Sequence, residues 1–222
     1  MDGQALFLSL SLAAATTGLL ALLGLPLAAW LAFSRARWKP LVEAVVALPL
    51  VLPPTVLGFY VLLAIGPEGP LGRLLSPWGI RLAFSFSGLL LASTLFSLPF
   101  AVQPFAAGFA AVPLRTREAA ATLGAGPVQT FLRVVLPQAW PGVLTGLVLS
   151  FAHTLGEFGV VLMVGGNIPG QTRTVSIAIF DHVQALEYGA AARTAAFLLA
   201  VSFLVLLLTY GLRRKEAPWR LF

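Results

Sequence analysis

Five long apolar runs, separated by short polar or charged segments, dominate the chain. Asp, Glu, Lys and Arg are absent from residues 3–34, 44–67, 82–114, 134–156 and 194–212. A helix needs about 20 mostly apolar residues to cross a bilayer. The pattern therefore predicts five membrane-spanning helices, over about 5–33, 41–65, 84–106, 141–165 and 191–212. None of the runs carries the polar face of a soluble amphipathic helix. The expected fold class is all-α: a polytopic bundle forming a single transmembrane domain over residues 1–222, with 107–139 as a polar loop on one face.

The first run does not read as a cleaved signal. Such signals have a basic start and a short apolar core. Here Asp2 stands near the start, no Lys or Arg precedes Arg35, and the apolar run is too long. It is expected to stay as a helix.

Composition agrees. Hydrophobic residues make up 59% of the chain, charged residues 10%, and mean hydropathy is +0.93. A soluble domain would carry about a quarter charged residues. The basic residues are lopsided. Arg35, Arg37 and Lys39 follow the first run. Arg115, Arg117 and Arg133 lie between the third and fourth, and Arg213, Arg214, Lys215 and Arg220 follow the fifth. The other connections hold Arg73, Arg81, Arg173 and Arg193. Cytoplasmic loops carry the Lys/Arg excess, so the N-terminus is expected outside and the C-terminus in the cytoplasm. Contact with anionic membrane lipid accounts for the net charge of +6 without a nucleic-acid partner. There is no cysteine, hence no disulfide or thiol chemistry.

Proline breaks the second run at Pro49, Pro53 and Pro54, just before Thr55. Each removes a backbone donor and crowds the preceding turn. Non-helical backbone at membrane depth survives only against protein or a water-filled cavity, so this break marks either a transport pathway or a packing kink. Pro99 and Pro104 repeat the signal more weakly in the third run. The fourth holds His153 and Glu157, four residues apart and expected on one helical face. Intramembrane ionisable groups face bundle interiors or cavities. A structural hydrogen bond, between the two or to a neighbouring helix, and a gating role both fit; a metal site lacks further ligands. Glu43 reads as an interfacial residue.

No catalytic residues emerge. The chain lacks Gly-x-x-x-x-Gly-Lys-Ser/Thr, Gly-x-Ser-x-Gly and His-Glu-x-x-His, and neither His153 nor His182 sits in a triad-like motif. An enzyme is the less economical reading.

Glu118-Ala119-Ala120, then Gly124, then Val134-x-Leu136-Pro137 resembles the EAA loop of binding-protein-dependent ABC importer permeases, with Val134 where that family favours Ile. The resemblance narrows along the chain. Leu48–Gly58 is similar to the proline-rich second span of molybdate permeases. Ala83–Phe86, Glu118–Gly126, Leu155–Gly159 and Asn167–Thr174 extend the likeness from about Leu8 to Leu212, with Ala121 replacing that family's usual Arg. Sulfate/thiosulfate and tungstate permeases share part of the pattern.

The resemblance implies a type I ABC importer permease fold in the cytoplasmic membrane, translocating an oxyanion, most specifically molybdate. It implies a second copy of the chain, cytoplasmic ATPase subunits that bind ATP and Mg, and an extracytoplasmic oxyanion-binding protein; the chain itself needs no cofactor or metal. Glu118, Ala119, Ala120, Gly124, Val134, Leu136 and Pro137 would form the coupling helix that docks on the ATPase, with Gly124 expected at a close approach to it. Pro49, Pro53, Pro54, Thr55, His153 and Glu157 are the pathway or gate candidates. Glu157 is not expected to coordinate an anion, because like charges repel. Arg173 is either a steering or docking contact for the binding protein or an interfacial anchor. The competing mechanism is an ion-coupled secondary transporter with His153 and Glu157 as a proton relay. The EAA spacing argues against it.

Overall fold

The computed structural model describes residues 2–216. All regular structure within them is helical. The elements are α1 (Gly3–Phe33), α2 (Lys39–Val51), α3 (Pro54–Ile65), α4 (Pro70–Leu75) with a 3-10 turn (Ser76–Trp78), α5 (Phe86–Ala110), α6 (Leu114–Thr122), α7 (Pro127–Thr130), a π-helical turn (Phe131–Val135), α8 (Leu136–Gln138), α9 (Trp140–Gly156), α10 (Gly159–Gly165), α11 (Val175–Gln184) and α12 (Tyr188–Glu216). Gly3–Phe33, Pro54–Trp78, Phe86–Ala110 and Tyr188–Leu207 are long and apolar enough to cross a membrane. A fifth span forms if Pro127–Gln138 and Trp140–Gly156, bent by 74° to one another, count together. Arg220 and its neighbours after Glu216 lie outside the described residues.

Two expected spans are broken. The proline cluster interrupts the second at Leu52–Pro53, as its chemistry requires, although Pro49 stays inside α2. The fourth, expected unbroken over 141–165, ends at Gly156 and restarts at Gly159. Glu157 is extended there (φ −66°, ψ 137°) and caps α9. His153 and Glu157 therefore do not share a helical face, which corrects the periodicity argument. The local cause is Gly156-Glu157-Phe158-Gly159, where two glycines flank the turn and weaken helix propensity.

The core is a triad of α1, α5 and α9. Leu20, Ala28, Val102, Phe105, Phe109 and Val143 interlock in its main cluster. Lipid is as apolar as these side chains, so close packing rather than water exclusion holds the helices together. Gly142 and Gly146, four apart on α9, bring that helix onto α5. A Cβ at Gly146 would lie 2.5 Å from Phe105 Cε1 and 2.7 Å from the Ala101 carbonyl oxygen; one at Gly142 would lie 2.8 Å from Gly108 Cα. A second layer packs α3 on α10, where a Cβ at Gly58 would meet Met163 Cβ at 2.8 Å.

The bundle has two distinct ends. At one, Gly3 and Gln4, Ser85 and Phe86, and Gly170 and Gln171 line a common cavity of about 610 Å³. Ser9 Oγ on α1 accepts the Val175 N–H at 2.8 Å there. At the other, the Arg117 guanidinium lies 4.4 Å over the Phe33 ring, joining the end of α1 to the 111–139 segment.

Candidate coupling segment and translocation site

The polar loop is built in two halves. Its first half, α6, presents Glu118, Ala119 and Ala121 at the surface and buries Ala120. Glu118 makes no ion pair or hydrogen bond among the described residues. The helix stops in a Schellman arrangement, in which Ala125 N–H bonds the Ala120 carbonyl and Gly124 N–H bonds the Ala121 carbonyl, both at 3.0 Å. Gly124 carries the required left-handed φ of +82°. A Cβ there would meet nothing in this chain within 4 Å, so within the chain the glycine answers a backbone demand rather than a steric one. The turn pushes Leu123 outward to 88% exposure. Nothing in the motif spacing singled out Leu123; its place next to a helix-ending glycine was the available clue.

The second half supports the first. Val134 and Leu136 are half-buried and Val135 is buried, while Pro137 is exposed. The π-helical turn packs against α6, and Leu136 packs against the main core cluster. Val134 and Leu136 thus fix the platform, and the surface of the motif comes from Glu118, Ala119, Leu123 and Gly124. Arg117, also unassigned from sequence, stacks on Phe33 and so ties this platform to α1.

At mid-bundle the two broken spans meet. A Cβ at Gly159 would lie 2.8 Å from Pro54 Cβ. Beside this junction a cavity of about 640 Å³ is lined by Pro54, Thr55, Phe96, His153, Glu157 and Phe158, among others. It gathers four of the six pathway candidates. Pro49 is buried within α2 and Pro53 forms the turn; neither lines this cavity. α3 begins at the cavity. Pro54 has no N–H, and Val56 and Leu57 both donate to the Pro53 carbonyl, which leaves the Thr55 N–H as the first donor of the helix.

His153 is fixed in place. Its ring stacks on Phe100 at a centroid distance of 3.9 Å. Its Nδ1 pairs with Ser97 Oγ at 2.9 Å, and Ser97 also pairs with Thr154 Oγ1 at 2.9 Å. Glu157 is buried at 5% exposure and sits by Ser93 of α5. Neither carboxylate oxygen, nor the Ser93 hydroxyl, reaches hydrogen-bond geometry with any group. Of the two structural bonds the sequence allows, the one to a neighbouring helix is made by His153, through Ser97 of α5; His153 and Glu157 do not bond each other, and Glu157 lies beside Ser93 without a bond. Ser93 and Ser97, one turn apart on α5, escaped the sequence reading because hydroxyls inside an apolar run raise no charge signal.

In the loop between α10 and α11, Arg173 is drawn inward. Its Nε donates to Asn167 Oδ1 at 2.6 Å, its guanidinium reaches Asp181 Oδ2 at 3.5 Å, and Asn167 Nδ2 donates to both oxygens of Asp181 at 2.9 and 2.7 Å. The three side chains clamp the 166–174 loop onto α11. No group of three or more His, Cys, Asp or Glu side chains able to hold a metal ion occurs among the described residues.

Comparison with known proteins accords with this architecture. The family of binding-protein-dependent transport system inner membrane components matches residues 24–217. The molybdenum transport system permease protein ModB of Azotobacter vinelandii is 54% identical over 217 residues, covering 97% of this chain and 96% of that protein. The sulfate transport system permease protein CysT of Synechocystis sp. is 36% identical over 170 residues, covering 77% of this chain and 59% of that one. Among solved structures, the inward-facing methionine ABC transporter MetNI aligns with a TM-score of 0.77 at 17% identity, covering 98% of this chain and 97% of that one. A bacterial alginate ABC transporter, solved with an alginate-pentasaccharide-bound periplasmic protein, aligns with a TM-score of 0.74 at 19% identity, over 96% and 78%. The chain belongs to the binding-protein-dependent transport system inner membrane components: it is a multi-pass permease subunit of an ABC importer, and not an enzyme.

Proposed function

We propose that this permease carries molybdate across the cytoplasmic membrane, driven by separate ATPase subunits and supplied by an extracytoplasmic oxyanion-binding protein. The observation that carries the substrate is the 54% identity, across nearly the whole chain, to a molybdenum transport permease. The geometry supports an anion route. The cavity at the α2–α3 and α9–α10 breaks faces the N-terminal end of α3, whose free backbone donor and helix dipole favour negative charge. Thr55 adds a hydroxyl. Both carboxylate oxygens of Glu157 are buried, and like charges repel, so Glu157 is not assigned to the anion. Sulfate is the second reading, carried by the 36% identity to CysT. Co-purifying the binding protein and identifying its bound anion separates the two: molybdate supports this reading, and sulfate with molybdate excluded replaces it.

The ATPase subunits, with their ATP and Mg, dock on Glu118, Ala119, Leu123 and Gly124. Two copies of the chain enclose the route, because at most five spans per copy are too few to surround it. The Lys/Arg distribution puts the α6 end in the cytoplasm and the 166–174 loop outside. The absence of native cysteine makes this directly testable. An impermeant thiol reagent added to intact cells is expected to label Gly170→Cys and not Ala125→Cys; labelling at 125 alone inverts the topology.

The loop clamped by Arg173 is assigned to contact with the binding protein. Arg173→Ala releases both Asn167 and Asp181. It is expected to lower binding-protein-stimulated ATP hydrolysis while basal hydrolysis and membrane insertion stay normal. Stimulation unchanged in the variant across a range of salt concentrations makes Arg173 a structural anchor only.

A further inference from the structure

The connection between α3 and α5 sets an apolar stripe beside an unpaired cation, away from both sites described above. Leu71, Leu74 and Trp78 fall at i, i+3 and i+7 along α4 and its 3-10 extension, and are 39%, 60% and 68% exposed. This is the spacing of one helical face. Arg73 is engaged by Glu68 at 2.9 Å. Arg81 is exposed and makes no ion pair or hydrogen bond among the described residues. It lines a cavity of about 680 Å³ together with Ser76, Ile65, Leu82 and Phe84. The cavity has a cationic corner, a hydroxyl and apolar walls, and no carboxylate lines it.

Depth in the membrane decides what occupies it. The stripe forms the last turns of the span Pro54–Trp78, Arg81 follows it, and the next span begins at Phe86. The connector lies where hydrocarbon gives way to headgroups. A short element with leucines on one face and an exposed Trp fits that zone: the stripe enters the acyl region and the indole sits at the boundary. A guanidinium at the same level matches the paired oxygens of a phosphate. We propose that the α3–α5 connector is a binding site for an anionic phospholipid, with the headgroup phosphate on Arg81 and an acyl chain along Leu74 and Trp78.

The test uses the whole permease, assembled with its ATPase, in nanodiscs of phosphatidylcholine doped at equal mole fraction with brominated phosphatidylcholine or brominated phosphatidylglycerol. Quenching that belongs to Trp78 is the difference between the native chain and Trp78→Phe. Brominated phosphatidylglycerol is expected to quench this component more strongly, with about a five-fold preference, the size of one basic side chain at an anionic surface. Arg81→Gln is expected to abolish the preference while lipid quenching itself persists, and added inorganic phosphate is expected not to compete. Equal quenching by the two lipids in the native chain overturns the proposal. So does absence of quenching by either, which would put the face under water or a protein. If Trp78→Phe does not assemble, native mass spectrometry decides: Arg81→Gln should retain fewer phosphatidylglycerol molecules than the native chain, and equal retention contradicts the site.

Discussion

Replacing Gly124 with leucine is expected to leave a folded, inserted permease that no longer links ATP hydrolysis to uptake. The reason lies in the backbone. At φ +82° an L-residue with a branched side chain is strained by about 1–2 kcal/mol. The helix can relieve that strain only by giving up the Ala125–Ala120 and Gly124–Ala121 hydrogen bonds. Leu123, now 88% exposed at the tip, would then be re-aimed, and the ATPase would meet a different surface. The loss is not a clash within the chain, because no atom lies within 4 Å of the added Cβ. Stability should change little. Uptake should fall about 10-fold or more, as expected when a coupling free energy of 1–3 kcal/mol is removed. Gly124→Asn separates the two possible causes. Asparagine tolerates the left-handed region, so it should restore most of the coupling if backbone shape is what matters. If Gly124→Leu transports normally, the segment is a connector and the docking assignment fails.

The opposite outcome is expected at Gly146: loss of the fold itself. A Cβ there meets Phe105 and the Ala101 carbonyl at 2.5 and 2.7 Å, and a backbone oxygen cannot rotate away. Gly146→Leu must separate α9 from α5, two members of the central triad. The cost is placed at about 3 kcal/mol or more, the upper end for overpacking. No stable monodisperse protein should be recovered in detergent, and Gly146→Ala should show a lowered thermal midpoint. Gly18 is the control. It is a helical glycine on α1 with nothing within 4 Å of its Cβ position, so Gly18→Leu should leave the midpoint near that of the native chain. Equal tolerance at both positions would remove close packing as the reason for the α9 glycines.

These two glycines also mark what the sequence can and cannot say. Charge-free runs located the spans because every backbone group in hydrocarbon must be satisfied within a helix; α1, α5 and α12 lie close to the expected bounds. The proline break between α2 and α3 was legible for the same reason, since proline removes a donor whatever surrounds it. The break at Glu157 was not. Gly156 and Gly159 weaken a helix without forbidding it, and what settles the matter is tertiary: α10 turns to lie on α3, with Gly159 against Pro54. That turn also separated Glu157 from His153 and gave each a serine of α5 as its neighbour.

The functional segments divide in the same way. The spacing from Glu118 to Pro137 located the loop proposed to couple to the ATPase, and its buried half follows from apolar Val134, Val135 and Leu136. Leu123 and Arg117 were missed because exposure and ring stacking are properties of the folded loop, not of any spacing. Arg173 reads as a free outer cation in the sequence; folding brings Asn167 and Asp181 to it from six residues before and eight residues after.

The central claim is that this chain forms an ATP-driven oxyanion route through the break between α2 and α3. Reconstitution into liposomes with the ATPase subunits and the binding protein tests it most directly, reading radiolabelled molybdate uptake with ATP, without ATP, and with only an imposed proton or sodium gradient. Uptake that requires ATP and the binding protein, is unaffected by the ion gradients, and is lost when Thr55 is replaced by a bulky apolar residue is the expected result. Uptake driven by an ion gradient in the absence of ATP would contradict the account.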